Sequence, residues 1–386
     1  MKILLLIDYS SEFSRGLLKG IIHYSKDYGP WTFYKLPSFY KSLYGKKGVI
    51  EWAKKWNADA IIGQWEAEDI DLLRTLNIPI ILKNSKERSK FFSNITGDYF
   101  STGVMAAKFF EQKRYKNFAF YGIKGTIWSK ERAEGFRSEI EKTNGNSYYY
   151  FETEDIGQDK LGKNQIKLLD WLTSLPKPVA LFACDDSYAL QVSEICKINN
   201  IDIPNQIALL GVDNDELICN LSDPPISSIV LDVEKGGYDV GRYLNQLLKK
   251  EKTDTFNIVV NPVRVETRLS TEKYIISNKY ILTVVNYIEK NFSTSISIYD
   301  LIKLVPLSRR ILEVKFKEEM GTSIYQFILK CRIDLFAQLL VTTDKTMFDI
   351  ALQSGFNDIK NLSRTFKKFK NCSPIEYKQK FGVEYR

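Results

Sequence analysis

Short aliphatic runs alternate with amphipathic helical stretches through about the first 270 residues, and this alternation is the strongest constraint on the fold. Most of the runs are continuously apolar, which is typical of strands that helices cover on both faces. Strand followed by helix, repeated, predicts a parallel α/β sheet. The candidate strands are KILLLID (2–8), ADAIIGQ (58–64), IPIILKN (78–84), NFAFYGI (117–123), VALFACD (179–185) and IALLGVD (207–213).

These units fall into two groups, with a predicted division near residues 113–117, so we expect an α/β fold with two lobes. The segments 236–250 and 256–270 are predicted to return the chain to the first lobe as a helix and a last pair of strands. Ligands of open α/β sheets bind beyond the carboxyl ends of the strands, which puts the expected site in the cleft between the lobes.

The character of the chain changes after Ser270, where no further strand–helix unit follows. From Lys279 onward every segment has the pattern of a short helix, with turn signals between the helices. A chain of this length is expected to hold two or three cores. We therefore predict a two-lobed sensing domain over 1–268, a linker over 269–277 and an all-α domain over 278–386.

The net charge of +8 is concentrated in the predicted all-α domain. Residues 278–386 hold 18 Lys and Arg against 11 Asp and Glu, whereas the other 277 residues hold 37 against 36. A basic excess confined to one domain is expected where that domain alone meets a polyanion. A well-solvated surface is the alternative interpretation.

Two segments of this domain have the pattern of a helix-turn-helix, the geometry that places a helix in the major groove of DNA. In 295–321, Ser308 can cap a second helix; in 346–374, Gly355 supplies the turn. Each exposed residue could instead be a solvated surface charge. The DNA-binding candidates are Ser308, Arg309, Arg310, Glu313, Lys317, Lys360, Asn361, Ser363, Arg364, Lys367 and Lys368, of which Lys360, Asn361 and Arg364 are the expected base contacts.

Polar and aromatic residues follow the predicted strands, where a ligand in the cleft would lie. Planar Asp, Asn and Arg groups bind neighbouring hydroxyls of a sugar, and an aromatic ring packs on its apolar face. Asp98 and Asp186 precede predicted helices and could equally be N-caps. The ligand-binding candidates are Arg15, Gln64, Trp65, Asp98, Trp128, Arg132, Asp185, Asp186, Asp213 and Asn214.

Several classes of site have no signature in the sequence. There is no apolar stretch of 18 residues and no signal-peptide pattern, so we expect a cytoplasmic protein without a membrane partner. Five cysteines without a CxxC pair, and the single His23, predict no disulfide framework, metal site or cofactor. The motifs GxGxxG, GxxxxGK[ST], HExxH and GxSxG are absent, so we expect no catalytic residue, although carboxylate-only catalysis stays open.

The segments GFNDIKNLSRTFKKFKNCSPIEYK and LSRRILEVKFKEEMG, with Arg332, resemble the double helix-turn-helix of AraC-type regulators over about residues 279–381. The chain departs from that pattern at Asn371, where Gly is usual, and at Ile311 and Val314, where polar groove-facing residues are common. The resemblance implies two recognition helices joined by the stretch 324–341. As a helix this stretch would span about 27 Å, close to the ~34 Å between successive major-groove entries on one face of DNA.

The segments ITGDYFSTGVMAAKFF, SKERAEGFRSEI, LFACDDSYAL, LLGVDNDEL and NPVRVETRLST resemble the periplasmic-binding-protein-like (type I) sensor of LacI-type regulators, over roughly 1–271. Those regulators carry their helix-turn-helix at the front. A sensor followed by an AraC-type domain is similar instead to the xylose-operon activators, as are DYSSEFSRGLLKGI and PPISSI. By this resemblance, the sugar contacts would be Arg15, Asp98, Arg132, Asp186 and Asp213.

The resemblance implies a sugar-responsive transcription regulator that activates pentose utilisation genes and is not an enzyme. Its expected partners are double-stranded operator DNA, D-xylose or a related pentose as effector, a second copy in a homodimer, and RNA polymerase. Two alternatives remain open: a carbohydrate-active enzyme, and another sugar-binding protein with an accessory DNA-binding tail.

Overall fold

Contacts within the chain divide it into two units, Met1–Lys273 and Tyr274–Arg386. The structure is a computed structural model that describes residues 1–36, 38–65, 69–84, 86–154, 163–249, 251, 255–272, 276, 278–343, 345–356, 362–370 and 372–381. In chain order the first unit contains β1 Lys2–Leu6, α1 Glu12–Tyr28, β2 Thr32–Lys35, α2 Ser38–Trp56, β3 Ala60–Gly63, α3 Ile70–Arg74, β4 Ile80–Leu82, β5 Ser93–Gly97, α4 Tyr99–Gln112, β6 Asn117–Ile123, α5 Ile127–Ile140, β7 Ser147–Thr153, α6 Lys163–Ser174, β8 Val179–Ala183, α7 Asp186–Ile198, β9 Ile207–Val212, α8 Glu216–Leu221, β10 Ser227–Leu231, α9 Val233–Leu248, β11 Asn257–Val260, β12 Pro262–Glu266 and a 3-10 turn, Leu269–Thr271.

Two six-stranded sheets of equivalent strand order form the lobes of the first unit. The order is β2-β1-β3-β4-β5-β11 in the first lobe and β7-β6-β8-β9-β10-β12 in the second. All neighbouring strands are parallel except β10 and β12, which are antiparallel. The central strands β3 and β8 are buried along their whole length. The predicted two-lobed parallel α/β fold is confirmed.

The chain crosses between the lobes after β5, after β10 and after β11. Because α4 packs on α5 and β12 of the second lobe, the first crossing lies at Asp98 and not at the predicted residues 113–117. The crossing segments are hydrogen-bonded to one another, from Asp98 N to Val260 O at 2.8 Å and from Asp232 N to Asn261 O at 2.9 Å. The lobes are therefore joined by a hydrogen-bonded hinge of three segments.

The last two strands differ from the sequence prediction. Rather than pairing with each other in the first lobe, β11 joins the first sheet beside β5 and β12 joins the second beside β10. Each strand satisfies its backbone groups at the edge of a different sheet. The first part of the predicted linker also belongs to this unit, because Ser270 and Thr271 are fully buried and Ser270 Oγ donates to the Leu209 carbonyl at 2.6 Å.

Helices α1 and α9 of the first lobe cross at glycines that allow their backbones to touch. A Cβ atom on Gly20 would lie 1.9 Å from the Glu234 carbonyl oxygen, and one on Gly237 would lie 2.1 Å from that of Leu17. Helices α4 and α5 of the second lobe cross in the same way at Gly135. Because backbone atoms cannot move aside as the end of a side chain can, these positions exclude any larger residue.

The second unit contains seven helices within its described residues: α10 Lys279–Asn291, α11 Ile298–Ile302, α12 Arg309–Met320, α13 Ile324–Thr342, α14 Met347–Gln353, α15 Leu362–Lys370 and α16 Pro374–Phe381. The N-terminal part of α13 packs with α10 to α12, and its C-terminal part packs with α14 to α16. The pairs α11–α12 and α14–α15 are the two predicted helix-turn-helix motifs. At 1.5 Å per residue, the 19 residues of α13 span about 28 Å.

Gly20→Ala should destabilise the first unit by about 1–3 kcal/mol, because the new methyl group would collide with the backbone of α9. Gly16→Ala on the same helix is the matched control, since its Cβ would lie 3.2 Å from the Val233 side chain, and we expect a change below about 1 kcal/mol. Urea unfolding of both variants and the parent measures the difference. Equal stability of the two variants would contradict the close crossing.

Candidate functional site

A buried arginine is the centre of a polar cluster at the carboxyl ends of the strands of the second lobe. The side chain of Arg132, on α5, is only 4% exposed, and its Nη2 lies 3.6 Å from Asp213 Oδ1. Its Nη1 donates to the carbonyl of Cys184 at 2.5 Å. The guanidinium carbon lies 5.4 Å from the ring centres of both Tyr99 and Trp128. Three predicted ligand-binding residues, Trp128, Arg132 and Asp213, are thus brought together.

The first lobe contributes Lys83, which follows β4 and was not among the predicted site residues. Its Nζ lies 4.6 Å from the centre of the Phe13 ring. Burial lowers the pKa of Lys83, while the carboxylates of Asp213 and Asp8 raise it and Arg132 lowers it. Because Asp213 and Arg132 belong to the second lobe, charged groups from both lobes meet in the cleft.

Several buried polar atoms of the cleft have no hydrogen-bond partner among the described residues. They are Arg132 Nε, Asp213 Oδ1 and Tyr9 Oη. Burial also raises the pKa of Tyr9 to about 12, so its hydroxyl stays a donor at neutral pH. A buried polar atom left unpaired costs about 1–3 kcal/mol. The cluster therefore has both donors and an acceptor free to bind a polar ligand.

The turn after β9 holds Asp213 and Asn214 in left-handed backbone conformations, with φ of +97° and +51°. Such values are uncommon for residues other than glycine and often occur at functional sites. Asn214 is fixed to its surroundings, because Arg268 Nη2 donates to its Oδ1 at 2.8 Å and its own N–H donates to Ser228 Oγ at 3.0 Å. Asn214 thus shapes the turn. Asp213 Oδ1, which faces Arg132 at 3.6 Å, makes no hydrogen bond among the described residues.

Three predicted carboxylates have structural partners. Asp98 and Asp185 are the N-caps of α4 and α7, accepting from Ser101 N at 3.0 Å and Tyr188 N at 2.9 Å. Asp186, which the sequence suggested as a cap, instead lies 2% exposed inside the lobe. Its carboxylate accepts from Ser228 Oγ at 2.6 Å and from the Asp215 backbone N–H at 2.7 Å. These two hydrogen bonds connect the start of β10 to the turn after β9.

Gln64 and Trp65 follow β3, but the structure gives the two residues different surroundings. Gln64 is half-buried at the carboxyl end of the first sheet. Trp65 is 3% exposed and packs in the core of the first lobe with Leu73 and Leu82, while its indole N–H donates to the Asp69 carbonyl at 2.9 Å. The ring of Trp65 is therefore a core group and does not supply the predicted aromatic face.

Two ion pairs connect the lobes across the cleft. Arg15 Nη2 on α1 donates to Asp215 Oδ2 at 2.6 Å and to Glu12 Oε2 at 2.9 Å. Arg88, which precedes β5, makes a bidentate pair with Glu131 on α5, at 2.7 and 2.8 Å. Fork-shaped pairs of this kind are geometrically specific. Arg15, predicted as a sugar contact, acts here as a bridge between the lobes.

The position of a residue just after a strand could have identified two charged groups of the cleft that the sequence analysis did not name. Lys83 lies in the run IPIILKN and Asp8 ends KILLLID, so both follow strands in the same way as the residues that were chosen. The bridge of Arg88 to Glu131 joins residues 43 positions apart in different lobes. Local sequence patterns do not predict an ion pair between residues so far apart in the chain.

The predicted DNA-facing residues of the first motif lie on the surface. Ser308 caps α12, accepting from the backbone N–H of Ile311. Arg309, Arg310, Glu313 and Lys317 are exposed, and Arg309 Nε donates to Glu313 Oε1 at 2.9 Å. In the second motif, four predicted residues on α15 are exposed: Ser363, Arg364, Lys367 and Lys368. Lys360 and Asn361 lie outside the described residues.

Metal-binding clusters and membrane-spanning helices are both absent from the part of the chain that the structure describes. No group of three or more His, Cys, Asp or Glu residues there is arranged to hold a metal ion. No helix in those ranges is both long and apolar enough to cross a membrane. The five cysteines, Cys184, Cys196, Cys219, Cys331 and Cys372, are all free thiols.

Comparison with protein families finds one match within each unit. Residues 107–271 match the periplasmic binding protein-like domain, and residues 301–380 match a helix-turn-helix domain. The chain is 26% identical to the xylose operon regulatory protein of Escherichia coli (strain K12), over 98% of this chain and 96% of that protein. It is 27% identical to the protein of the same name from Haemophilus influenzae, over 98% of both.

Solved structures support the same fold. The xylose-binding transcription activator xylR aligns with a TM-score of 0.61 at 23% identity, over 99% of this chain and 98% of that one. A LacI family transcriptional regulator from Enterococcus faecium with bound ribose aligns with a TM-score of 0.57 at 17% identity, over 70% of this chain and 98% of that one. The resemblance identified from the sequence, a sensor of this type followed by a double helix-turn-helix, is confirmed.

Asp185→Asn should stabilise the protein above about pH 6 and have little effect near pH 4. Burial, with the nearby Asp213 charge, raises the pKa of Asp185 from 3.8 to about 6, so the charged form is the less stable one in the folded state. Its cost is therefore absent at low pH and fully present above the folded pKa, and asparagine removes it while still capping α7. We expect a gain on the order of 1–2 kcal/mol at pH 7.5.

Thermal unfolding between pH 4 and pH 8 measures this difference. Asp98→Asn is the control, because it places an amide at the N-cap of α4 and reports the effect of that change alone. A stability gain for Asp185→Asn that is the same at every pH would show that the buried charge is not its cause.

Proposed function

We propose that this chain, which joins a periplasmic-binding-protein-like sensor to a double helix-turn-helix as the xylose operon regulators do, is a sugar-responsive DNA-binding transcription regulator. The observation that carries the proposal is the similarity along 98% of the chain to regulators of one operon, combined with a cleft that has unpaired buried polar atoms. We further propose that it activates pentose utilisation genes and that D-xylose or a related pentose is its effector.

The groups of the cleft fit a small sugar. Asp213 Oδ1 is free to accept from a hydroxyl, and Arg132 Nε is free to donate to one. The rings of Tyr99 and Trp128, each with its centre 5.4 Å from the guanidinium carbon, place aromatic groups beside the cluster that suit the carbon–hydrogen side of a pyranose. Lys83 adds a donor from the other lobe. A ligand held by Lys83 and Asp213 together would contact both lobes at once.

Such a ligand acts by favouring one arrangement of the lobes. A sugar shifts a conformational equilibrium only if it binds one state more tightly than the other. Three crossing segments join the lobes, and we propose that the lobes turn about them. The pairs Arg15–Asp215 and Arg88–Glu131 stabilise the arrangement in which the lobes meet. Sugar and ion pairs would therefore favour the same closed state.

The second unit supplies the DNA reader. Its basic excess, its two motifs and the span of α13, close to one turn of DNA, support binding by α12 and α15 in successive major grooves. We propose a homodimer, since one double motif reads only a short element. RNA polymerase would be a further partner of an activator. Because such a regulator must reach the chromosome, we also propose a cytoplasmic location. We propose no enzymatic activity, since the relatives similar along 98% of the chain are named as regulatory proteins.

Asp213→Asn should weaken pentose binding at least tenfold, because it removes a charge-assisted hydrogen bond worth roughly 1.5–3 kcal/mol. Asparagine is chosen since it tolerates the left-handed φ of this position. Calorimetric titration with D-xylose and other pentoses measures the loss, and Asp170→Asn, exposed on α6, is the control. Unchanged affinity in Asp213→Asn would refute the cleft as the site, and no pentose binding by the parent would refute the effector class.

Arg364→Ala should weaken binding to duplex DNA by about 1–3 kcal/mol if Arg364 contacts a base, and more for a selected sequence than for random DNA. A phosphate contact would instead weaken both equally and lower the salt dependence by about one charge. Titration at several salt concentrations separates the two cases, with Lys167→Ala on the sensor unit as the control. If the parent binds no duplex even at low salt, the proposed function is wrong.

A further inference from the structure

The outward face of α12 has an aliphatic centre. Leu312 and Phe316 are fully buried in the core of the second unit, and at 3.6 residues per turn Val314 lies on the side directly opposite them. Val314 is 50% exposed and Ile311, one turn earlier, is 47% exposed. Two aliphatic side chains thus lie on the outward side of the helix, with Val314 at its centre.

Basic side chains flank this aliphatic centre. Arg310 and Lys317, one on each side of Val314 along the helix, are both exposed. Arg309 is paired with Glu313 at 2.9 Å, so that carboxylate is neutralised by its neighbour. Glu318, one turn after Val314, is also exposed, so together with Arg310 and Lys317 this surface carries a net positive charge around an apolar middle. Such a surface is complementary to a polyanion that presents apolar groups between its phosphates.

The recognition helix of the second motif has a different surface. The residues of α15 that are exposed are Ser363, Arg364, Lys367 and Lys368, all of them polar or charged. Because both helices hold the same place in their motifs, the aliphatic face of α12 is not a requirement of the helix-turn-helix fold. Among the described residues of these two helices, exposed aliphatic side chains occur on α12 and not on α15.

From this geometry we infer that α12 reads thymine through its C5-methyl group, with Ile311 and Val314 making the contacts in the major groove. Of the four bases, thymine alone presents a methyl group in the major groove. Apolar side chains recognise this methyl group by direct contact. Arg310 and Lys317 hold the helix at the flanking phosphates. The inference rests on the proposed function, since it specifies how the first of the two DNA-reading helices recognises sequence.

Replacing thymine by deoxyuridine tests this directly, because it removes the methyl group and leaves base pairing intact. Duplexes that bind the full chain are first selected from a random pool, and each thymine of the selected site is then replaced singly by deoxyuridine. At one or two positions we expect about fourfold weaker binding, the value for one methyl-sized group withdrawn from an apolar contact. Other positions should tolerate the change.

Variants of the full chain assign the methyl contacts to α12. Ile311→Ala and Val314→Ala should each lose the discrimination between thymine and deoxyuridine at its own position. Both side chains are about half exposed, so the variants should fold as the parent does, which thermal unfolding checks. Ile166→Ala, at an isoleucine 62% exposed on α6 of the sensor unit, is the matched control and should discriminate as the parent does.

Each outcome decides the inference. If the parent binds every deoxyuridine duplex as tightly as the thymine duplex, methyl recognition is refuted although the proposed function stands. If discrimination persists in both α12 variants and disappears in Arg364→Ala, the methyl groups are read by α15 and the assignment to α12 is overturned. If the selection yields no bound DNA at all, the proposed function itself fails.

Discussion

The buried charge of Arg132 is the constraint around which the cleft is built. A guanidinium that is 4% exposed must be compensated, because an unpaired buried charge costs several kcal/mol. The carbonyl of Cys184, the carboxylate of Asp213 and two aromatic rings supply this compensation. These groups come from α4, α5 and the turns after β8 and β9, so Arg132 fixes the relative positions of four elements. The compensation is incomplete, because Arg132 Nε has no hydrogen-bond partner among the described residues, and this atom is one of those that the proposed ligand would bind.

Part of this cleft could be predicted from local sequence and part could not. Asp213 was predictable because it follows a strand, and Trp128 and Arg132 because they lie in the first two turns of the helix after β6, at the edge where parallel sheets bind ligands. Trp65 meets the same criterion, but its ring turns into the core, and position along a strand does not determine the direction of a side chain beyond its end. Lys83 was overlooked although it satisfies the same rule.

Two of the strands that the sequence did not predict contain buried polar residues. Strand β5, SNITG, and strand β10, SSIVL, lack the long aliphatic run that identified the others. Their polar groups find partners that lie far away in sequence: Ser228 donates to Asp186 at 2.6 Å, and Asn94 donates to Asn257 at 3.0 Å. Hydrophobic patterning detects burial through apolar character alone, so a strand stabilised by such long-range pairs escapes it. The lobe to which α4 belongs was misjudged for a related reason, because helix packing partners are not encoded in local periodicity.

In the proposed complex, α15 and α12 contribute to DNA binding in different ways, because α15 exposes basic residues and α12 exposes aliphatic ones. Basic residues such as Lys367 and Lys368 on α15 would displace counterions, so their contribution to affinity would fall as salt rises. The aliphatic face of α12 releases no ions, and its contribution depends on the base sequence that covers it. A domain with one polar and one aliphatic reader therefore retains part of its sequence discrimination at salt concentrations that weaken its affinity. In such a domain Ile311 and Val314, the departures from the common family pattern, would be the source of that discrimination.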